Sequence, residues 1–442
     1  MNLKERLLSG KTTIAIFGIG FVGTTIMTVW LRTGARVIAV DKNIDVLEKL
    51  RKGESPTNEP HSKRAISKGL KENKLIITSN HQTAIRKSNI VIIAVPVGLK
   101  NKNVNLTNIT SVINSISKDM KKGSTIIVTP TIPIGTSRKI IKIIENKTKL
   151  KVEKDFNYIY SPERISAGHA VKDIEKNYPA IISGAGKKST EFGKKLFDII
   201  SSKGVIEMST IEAAEGEKIF EGVYRDVNIA LANELAIICE KNGLDFWEIR
   251  NAANSQPYSQ IHKSGIGVGG YCIPVYPYFL INMNKKSHEY TNLIRVSRKI
   301  NENMPRHAVK RITEITNNKF RSKKKIKISI LGLSFRGNIP DKRLSPTYEI
   351  VKMLTNKKFD IFIHDPYFDK DKFLEKRAIM TKDLRECLMD SDIVILATDH
   401  KEYYKLTNSY MKKLLKNETV IYDGRNVIQK STKNKIIKIG KG

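Results

Sequence analysis

The sequence predicts an α/β protein in which two doubly wound parallel-sheet domains are joined by a helical central segment. Short, continuously apolar runs alternate with helical patterns in the first third of the chain, and the same alternation returns in the last third. Strands of a parallel sheet are covered on both faces, so they are apolar throughout. The middle third instead has the apolar spacing of long helices.

In the first third, the pattern predicts five strands and, after the first of them, a helix that follows a glycine-rich turn. The strands are predicted at residues 13–18, 35–40, 89–95, 124–129 and 158–160, and the helix at residues 21–32. The second strand ends at Asp41 and the third at Pro96. The series favours a buried parallel sheet.

The middle of the chain is predicted to be helical, beginning with one long helix over residues 211–242. Gly243 is a plausible C-cap for it, and further helices are predicted over 247–253 and 291–315. Seven apolar side chains near one face of the long helix favour a homodimer interface: Ile219, Phe220, Val223, Val227, Leu231, Leu235 and Ile238.

The last third repeats the first, with strands predicted over 326–331, 360–364 and 392–397. Residues 391–398 closely resemble residues 88–95. The turn at 332–337 lacks the full glycine fingerprint of the first domain, so a different ligand is expected there. The predicted domains are residues 1–208, 209–318 and 319–442.

The charge is strongly positive, with 78 Lys and Arg residues against 44 Asp and Glu residues in 442. Nucleic-acid binding is not predicted, because the basic residues are scattered and no nucleic-acid motif accompanies them. An anionic small ligand explains part of the charge. The uncharged stretch 12–31 contains three glycines and five threonines, so a strand–turn–helix is predicted there instead of a membrane span. Three cysteines without a paired spacing favour a cytoplasmic protein.

A dinucleotide fingerprint is formed by Gly18, Gly20 and Gly23, between a predicted strand and a predicted helix. Glycines there allow a tight turn and close approach to a pyrophosphate, whose charge the helix N-terminus stabilises. Asp41 is placed to bind ribose hydroxyls, which favours NAD over NADP. The predicted cofactor site also includes Phe21, Val22 and Pro96. The alternative is a purely structural glycine turn.

Cys272 lies in a glycine-dense loop, Gly265-Ile-Gly-Val-Gly-Gly-Tyr-Cys-Ile-Pro274, which favours a nucleophilic thiol close to a ligand. Its alternative is a buried structural cysteine, which is the prediction for Cys239 and Cys387. Lys218 and Arg225, on one helical face, are candidates for the positive charge that a thiolate needs. By spacing alone, however, Lys218 is better explained as a solvated helix residue.

Two polar segments follow predicted strands and are therefore expected near the ligand crevice of the sheet. Thr131 follows the strand at 124–129, near the expected nicotinamide end of the cofactor, and is also predicted to bind the cofactor. Ser161-Pro-Glu163-Arg164 follows the strand at 158–160. Without further information, Glu163 is equally well explained as a surface ion-pair partner.

Ordered motifs over nearly the whole chain resemble those of the nucleotide-sugar 6-dehydrogenases, the UDP-glucose and UDP-N-acetylmannosamine dehydrogenase family. The chain is most similar to the UDP-N-acetylhexosamine branch of that family. The motifs lie at residues 17–23, 131–136, 161–164, 224–234, 267–274, 331–338 and 423–426. The resemblance implies two Rossmann-like domains around a central dimerisation region.

The resemblance also implies a chemistry, in which NAD oxidises the C6 alcohol of a UDP-sugar twice to give a uronic acid. Cys272 would carry the thiohemiacetal and the thioester that follows it. Lys218 would stabilise the oxyanion, and Glu163 and Thr131 would organise water and proton transfer. UDP-N-acetylmannosamine or UDP-N-acetylglucosamine would be the substrate, for polysaccharide or glycan synthesis.

The ligand contacts implied by the resemblance are spread over all three predicted domains. Arg343 would reach the cofactor. The UDP-sugar would be bound by Arg164, Ile165, Lys218, Arg225, Gly269, Phe335 and Arg336.

Five positions depart from the family pattern. Gly222 replaces an Asn and Tyr276 an Asp, while Tyr271, Tyr258 and Arg336 replace a His, an Arg and a Lys. The first two departures motivate an alternative function: a catalytically impaired paralogue that binds UDP-sugar or NAD and regulates or scaffolds a partner.

Overall fold

The computed structural model describes residues 1–323, 325–406, 408–428 and 433–442. It divides into two compact units. The first comprises residues 1–221 and 278–283, and the second comprises residues 222–277 and 284–442. Within the described residues, no helix combines the length and the apolar character that crossing a bilayer requires.

The first unit contains an eight-stranded sheet and a small hairpin. The strands are β1 (Thr13–Phe17), β2 (Arg36–Val40), β3 (Leu75–Thr78), β4 (Ile90–Ile93), β5 (Gly98–Lys100), β6 (Asn103–Asn105), β7 (Thr125–Val128), β8 (Asn157–Tyr160), β9 (Ala180–Gly184) and β10 (Val205–Glu207). The sheet order is β10-β9-β8-β7-β4-β1-β2-β3, with β5 and β6 forming the hairpin. The strands of the sheet pair in parallel, except that β8 and β9 are antiparallel.

The helices of this part of the chain connect the strands and cover the sheet. They are α1 (Leu3–Leu8), α2 (Phe21–Thr33), α3 (Ile44–Arg51), α4 (Ser62–Lys71), α5 (His81–Arg86), α6 (Thr107–Ile116), α7 (Thr136–Thr148), α8 (Ala170–Lys172), a π-helix (Asp173–Asn177) and α9 (Lys187–Phe197). The buried side chains of β1, β2 and β4 pack with those of α2 into one apolar core.

The second unit contains a six-stranded parallel sheet of the same design. Its strands are β11 (Lys327–Leu331), β12 (Asp360–His364), β13 (Ile379–Thr381), β14 (Ile393–Leu396), β15 (Val420–Asp423) and β16 (Lys435–Lys438). The order β13-β12-β11-β14-β15-β16 repeats the order of the first unit around its own first strand. The strand order therefore reverses beside β1 in one unit and beside β11 in the other, which is where doubly wound sheets bind ligands.

The remaining helices begin with α10 (Ile211–Lys241), whose residues belong to the first unit up to Glu221 and to the second unit from Gly222. They continue with α11 (Phe246–Ala253), α12 (Tyr276–Met283), a 3₁₀ turn (His288–Thr291), α13 (Asn292–Lys319), α14 (Pro346–Thr355), α15 (Leu384–Leu388), a 3₁₀ turn (Tyr403–Lys405) and α16 (Asn408–Leu414). A mostly parallel sheet, then a helical stretch of the chain, then a parallel sheet confirm the predicted fold class.

The predicted strands lie within two residues of the observed ones, and the predicted helix at 291–315 extends to Lys319. Several short strands were not predicted: β3, β5, β6, β9, β10, β13, β15 and β16. Gly243, two residues after the end of α10, has a φ of +68°, as expected for a glycine that ends a helix.

The apolar stripe predicted on α10 is buried only in part in this chain, fully at Ile219 and partly at Val223, Val227 and Leu235. Leu231 and Ile238 are exposed, whereas small and polar side chains such as Ala230, Asn233 and Ala236 are buried. The helix therefore packs closely through its small residues. The homodimer predicted from the apolar stripe stays a prediction.

Candidate active site

The turn between β1 and α2 contains three glycines, of which two are tightly packed against neighbouring atoms and the third borders open space. A Cβ on Gly18 (φ +91°) would lie 2.9 Å from Val95 Cγ1, and one on Gly23 would overlap the Gly18 carbonyl oxygen. At Gly20, no heavy atom of the described residues lies within 4 Å of the place a Cβ would take. The N-terminus of α2 therefore borders open space at Gly20.

Asp41 is fixed against this turn at the end of β2. Its Oδ2 accepts a hydrogen bond from the Ile19 amide at 2.6 Å, and its Oδ1 accepts one from the Asn43 amide at 2.8 Å. No side chain of the described residues caps α2 at Gly20, which leaves its first amides available to an anion. These features fit a dinucleotide, with the pyrophosphate at the α2 N-terminus and the ribose near Asp41.

The other predicted cofactor residues of the first unit surround the same turn. Phe21 and Val22 are partly buried in the first turn of α2, and Pro96 is exposed beyond the end of β4. The Pro96 carbonyl oxygen accepts a hydrogen bond from Asn108 at 3.2 Å. Because β1 and β4 are neighbours, both segments lie at the point where the strand order reverses.

A second polar group of the first unit is centred on Glu163, three residues after β8. Burial raises the pKa of this carboxyl to about 7, although Lys218 and, less strongly, Arg164 favour its ionised form. Lys218 is itself buried, and its Nζ donates to Glu221 Oε2 at 2.8 Å. Thr131, three residues after β7, is also buried. A carboxyl that titrates near neutral pH is suited to proton transfer.

Arg164 is held by groups on two sides. Its Nη2 donates to the Pro179 carbonyl oxygen at 2.6 Å, and its Nη1 lies 3.9 Å from Glu217 Oε1. Its guanidinium carbon lies 5.7 Å from the centre of the Tyr178 ring. Ile165 follows it as a partly buried residue. The arginine predicted to contact substrate is thus also anchored structurally.

In the second unit, Cys272 is the exposed cysteine of the three that the chain contains. Cys239 and Cys387 are buried, as predicted, and burial raises the pKa of both thiols, that of Cys387 to about 12. The Tyr276 hydroxyl donates a hydrogen bond to Cys272 Sγ at 3.2 Å. Thiol reactivity is therefore confined to Cys272, and its hydroxyl neighbour was not predicted from the sequence.

The glycines before Cys272 are needed for contact with the protein's own chain. A Cβ on Gly269 would lie 2.5 Å from Phe335 Cβ, and one on Gly270 (φ +89°) would lie 2.9 Å from the Phe335 ring. Gly267 (φ +138°) packs in the same way against Pro346. The loop is thereby pressed onto the segment that carries the predicted substrate residues Phe335 and Arg336.

Arg343 lies beside the same loop. Its guanidinium carbon is 5.2 Å from the centre of the Tyr271 ring, and its backbone carbonyl accepts the Gly270 amide at 2.8 Å. The ion pair with Asp341 raises the pKa of Arg343, with smaller contributions from Cys272 and Tyr271. A permanent positive charge therefore faces the thiol.

A cleft of about 700 Å³ opens beside the Cys272 loop in the second unit. It brings together four of the predicted substrate residues, Arg225, Gly269, Phe335 and Arg336, and Ile273 also lines it. Further side chains of the cleft were not predicted as site residues: Arg250, His262, Lys263, Asp399 and Arg425. Arg425 belongs to the motif at 423–426, but the others follow no recognisable spacing.

The electrostatics of this cleft favour an anion. Five of its side chains are Lys or Arg, against the single carboxylate of Asp399. Burial lowers the pKa of His262, and the nearby Arg225 and Arg250 lower it further. Cations crowded onto one concave wall match a phosphorylated ligand.

The departures from the family pattern fall into two groups. Tyr258 is almost fully exposed, with 95% of its surface accessible. Gly222 and Tyr276, in contrast, are buried against each other, since a Cβ on Gly222 would lie 2.6 Å from Tyr276 Cδ2.

The predicted catalytic and substrate-binding residues are divided between the two units. Glu163, Thr131 and Lys218 belong to the first unit, and Cys272, Arg225 and Arg336 belong to the second.

The first unit has the open glycine turn of a dinucleotide-dependent oxidoreductase, and the second a basic cleft beside an exposed thiol. Three family models match the chain: the NAD-binding domain of the UDP-glucose/GDP-mannose dehydrogenase family at residues 12–201, its central domain at 212–303 and its UDP-binding domain at 329–430. The chain belongs to this family. It is an NAD-dependent oxidoreductase of the UDP-sugar dehydrogenase type, and the predicted family and cofactor are confirmed.

The chain is similar over nearly its whole length to several named proteins. A UDP-N-acetyl-D-mannosamine dehydrogenase of Pyrococcus horikoshii is 31% identical over 431 residues, covering 97% of this chain and 99% of its own. The structure of the UDP-D-ManNAc dehydrogenase from Pyrococcus horikoshii matches with a TM-score of 0.89 at 30% identity, covering 97% and 99% of the two chains. That of a UDP-N-acetyl-mannosamine dehydrogenase from Staphylococcus aureus matches with a TM-score of 0.84 at 28% identity, covering 97% and 98%.

Proposed function

We propose that the protein oxidises the C6 alcohol of a UDP-sugar to the carboxylate in two successive two-electron steps, through a thioester on Cys272. The observation that carries the proposal is the basic cleft of the second unit, which is lined by residues of the Cys272 loop. A diphosphate carries charges that Arg225, Arg336 and Arg425 can bind, and the reactive thiol lies on the same loop as the cleft wall.

NAD bound at the Gly20 turn would supply the hydride acceptor, with one NAD reduced in each of the two oxidations. In the first oxidation the C6 alcohol loses a hydride and its hydroxyl proton to give the aldehyde. The thiolate of Cys272 adds to the aldehyde carbon, and the carbonyl oxygen takes a proton to give a thiohemiacetal. Loss of a hydride from that carbon and of the proton from its hydroxyl group would leave a thioester, and attack by water would release the thiolate and the uronic acid. We assign proton transfer and water orientation to Glu163 and Thr131, and oxyanion stabilisation to Lys218.

The substrate proposed first is UDP-N-acetyl-D-mannosamine, with UDP-N-acetylglucosamine as the second candidate, and the product would feed polysaccharide or glycan synthesis. The support is that relatives covering the whole length carry the first name. The two sugars differ in the configuration at one carbon, so the choice depends on individual hydrogen bonds.

The test is NADH formation, followed at 340 nm, with UDP-N-acetylmannosamine, UDP-N-acetylglucosamine and UDP-glucose. We expect two NADH per sugar with the preferred substrate and none in the Cys272→Ala variant. Cys239→Ala, a buried cysteine, is the matched control and should retain activity. One NADH per sugar, or full activity without Cys272, would contradict the thioester route.

The alternative of a catalytically impaired paralogue makes a different prediction in the same assay. Such a protein would bind a UDP-sugar or NAD in calorimetry but would form no NADH with any sugar. The retained Cys272, Lys218, Glu163 and Thr131 support an active enzyme.

Two further expectations remain proposals: a cytoplasmic homodimer, and three domains over residues 1–208, 209–318 and 319–442. Exposed apolar side chains on α10, among them Leu231, support the dimer. Light scattering should give twice the chain mass for the wild type and a smaller value for Leu231→Asp. Leu8→Asp is the control, since both leucines are 46% exposed in this chain.

A further inference from the structure

The side chain of Tyr276 packs directly against Gly222, beside Cys272. The Tyr276 ring is buried, and a Cβ on Gly222 would lie 2.6 Å from its Cδ2 and 3.3 Å from its Cβ and Cγ. Real Cβ atoms do not approach carbon so closely, and a buried ring has little room to move away. Only glycine at position 222 therefore leaves space for the tyrosine ring in this place.

The position of Tyr276 is fixed from the other side by Cys272 itself. The Tyr276 amide donates to the Cys272 carbonyl oxygen at 2.9 Å, where α12 begins, and the Tyr276 hydroxyl donates to Cys272 Sγ at 3.2 Å. One backbone bond and one side-chain bond thus join the same two residues. The hydroxyl is directed at the atom that would act as the nucleophile.

We propose that Tyr276 is the hydrogen-bond donor to the Cys272 thiolate and that Gly222 exists to admit it, so that the two departures are one coupled adaptation. This inference rests on the proposed function. A phenol donates a hydrogen bond, whereas a carboxylate at the same place only accepts one and repels a thiolate. Tyr276 therefore favours the thiolate form of Cys272, which is the nucleophilic form.

Other described groups of the second unit also face the thiol. Arg343 carries a positive charge whose interaction with Cys272 contributes to raising its own pKa, although Asp341 contributes most. Tyr271, the residue before Cys272, has its ring 5.2 Å from the Arg343 guanidinium carbon. These groups are unchanged in a Tyr276→Phe variant, so the effect of the hydroxyl can be measured separately.

The test is the rate at which iodoacetamide alkylates Cys272 in the full-length protein without substrate, measured across pH. In Tyr276→Phe we expect alkylation at and below neutral pH to be slower than in the wild type, because the thiolate loses the hydrogen bond that stabilises it. The rate at neutral pH should fall about threefold. The fraction of thiolate decreases, and this loss is partly offset because a thiolate without the hydrogen bond is more nucleophilic. Cys272→Ala gives the background from the two buried cysteines.

Tyr278→Phe is the matched control, since it removes a hydroxyl two residues further along α12 and should leave the profile unchanged. A Tyr276→Phe profile that coincides with the wild type, in protein with an unchanged melting temperature, would overturn the role of Tyr276. Alkylation needs no sugar or NAD, so the result is independent of the NADH assay that tests the proposed function.

The coupling to Gly222 is tested by adding a single Cβ. Gly222→Ala should shift the alkylation profile in the same direction as Tyr276→Phe, because the ring is displaced from Cys272. Gly216→Ala is the control on the same helix, since its Cβ would meet the described residues no closer than 3.6 Å, at Ile134. An unaltered profile in Gly222→Ala would show that the ring does not need the glycine.

Exchange of both residues separates an adaptation from decay. Gly222→Asn alone should destabilise the protein more than the pair Gly222→Asn/Tyr276→Asp, because only the pair removes the tyrosine ring with which the Asn side chain collides. Alkylation of the pair at neutral pH should be slower than in the wild type, since a carboxylate disfavours the thiolate. Faster alkylation in the pair would overturn the proposed donor role.

Discussion

The two sheet-containing units begin in the same way and then diverge at the turn after their first strand. After β1, the space at Gly20 is empty of described atoms within 4 Å. After β11, a Cβ on Gly332 (φ +115°) would overlap the Thr398 side chain, and one on Gly337 would overlap Asp399. Gly18 and Gly23, the counterparts of Gly332 and Gly337, are enclosed in the same way. The two turns therefore differ at the middle position, where Gly20 borders open space and its counterpart Ser334 is buried.

The acidic residue that ends the second strand shows the same contrast. Asp41 accepts amides from Ile19 and Asn43 and is only partly buried. Asp365 is fully buried; its Oδ2 accepts the amides of Leu333 and Ser334 and lies 3.3 Å from His400 Nε2, and its Oδ1 accepts the Tyr367 amide. The acidic residue that ends the second strand is thus left partly accessible in the first unit and is enclosed by the protein's own groups in the second.

The largest effect should come from adding a methyl group to the closed turn. Gly332→Ala combines a positive φ with a collision against Thr398, and we expect it to lower the free energy of unfolding by about 4 kcal/mol. Gly123→Ala is the control, because it has a similar positive φ (+82°) but no described atom within 4 Å. Equal losses in urea titrations of the two variants would mean that the turn is not closed by contact.

The second largest effect on stability is expected at Asp365, a buried carboxylate of the second unit. Burial alone would raise the pKa of Asp365, but the bonds from His400 and from the Ser334 and Tyr367 amides outweigh it and lower the pKa. Asp365→Asn should cost about 2–3 kcal/mol at pH 7, because an amide cannot accept all of these bonds. Since a lowered folded pKa stabilises above the unfolded value of 3.8, the cost should shrink below about pH 4.

Asp360→Asn, an exposed position at the start of the same strand, is the control and should change stability little. A cost for Asp365→Asn that stays constant from pH 7 down to pH 3 would contradict the assignment.

The contribution of Glu163, in the first unit, to stability should change with pH in the direction opposite to that of Asp365. Its folded pKa of about 7 lies above the ordinary 4.5, so the folded state binds the proton more tightly than the unfolded state. Stability is therefore lost as pH rises from about 4.5 to about 7, by about 2 kcal/mol after allowance for partial exposure. Glu163→Gln should be more stable than the wild type at pH 8 and similar at pH 4.

The activity of Glu163→Gln should lose the pH dependence near 7 together with most of the rate. Glu191→Gln, on the exposed surface of α9, should behave as the wild type in both measurements. If the stability difference between Glu163→Gln and the wild type did not change with pH, the pKa of the Glu163 carboxyl would not be raised by burial.

The smallest effect on stability, but a selective one on binding, is expected at the open turn. Gly20→Ala meets no described atom, and φ is −77°, so the free energy of unfolding should change by less than about 0.5 kcal/mol. NAD affinity, measured by calorimetry, should fall about tenfold, because the methyl group occupies space that the pyrophosphate needs. A variant that binds NAD normally would show that the cofactor does not approach Gly20.

The strands with continuous apolar runs were predictable because their composition follows directly from burial on both faces. The missed strands are short or carry polar residues, as in β16, Lys435–Lys438, where pairing with β15 decides the structure. Cys272 and the Gly18–Gly23 turn were found because their chemistry depends on residues adjacent in sequence. Arg250 and His262 were missed because no spacing connects them to Arg336, although they line the same cleft.

The sequence by itself determined the fold class, the family, the cofactor and the identity of the candidate nucleophile, since each depends on local composition or on an ordered motif. Only the tertiary structure decided what surrounds those residues. Gly222 and Tyr276 are 54 positions apart in the chain and appeared from the sequence as two separate losses. The fold brings them into contact beside Cys272, because packing depends on neighbours in space that the order of residues does not specify.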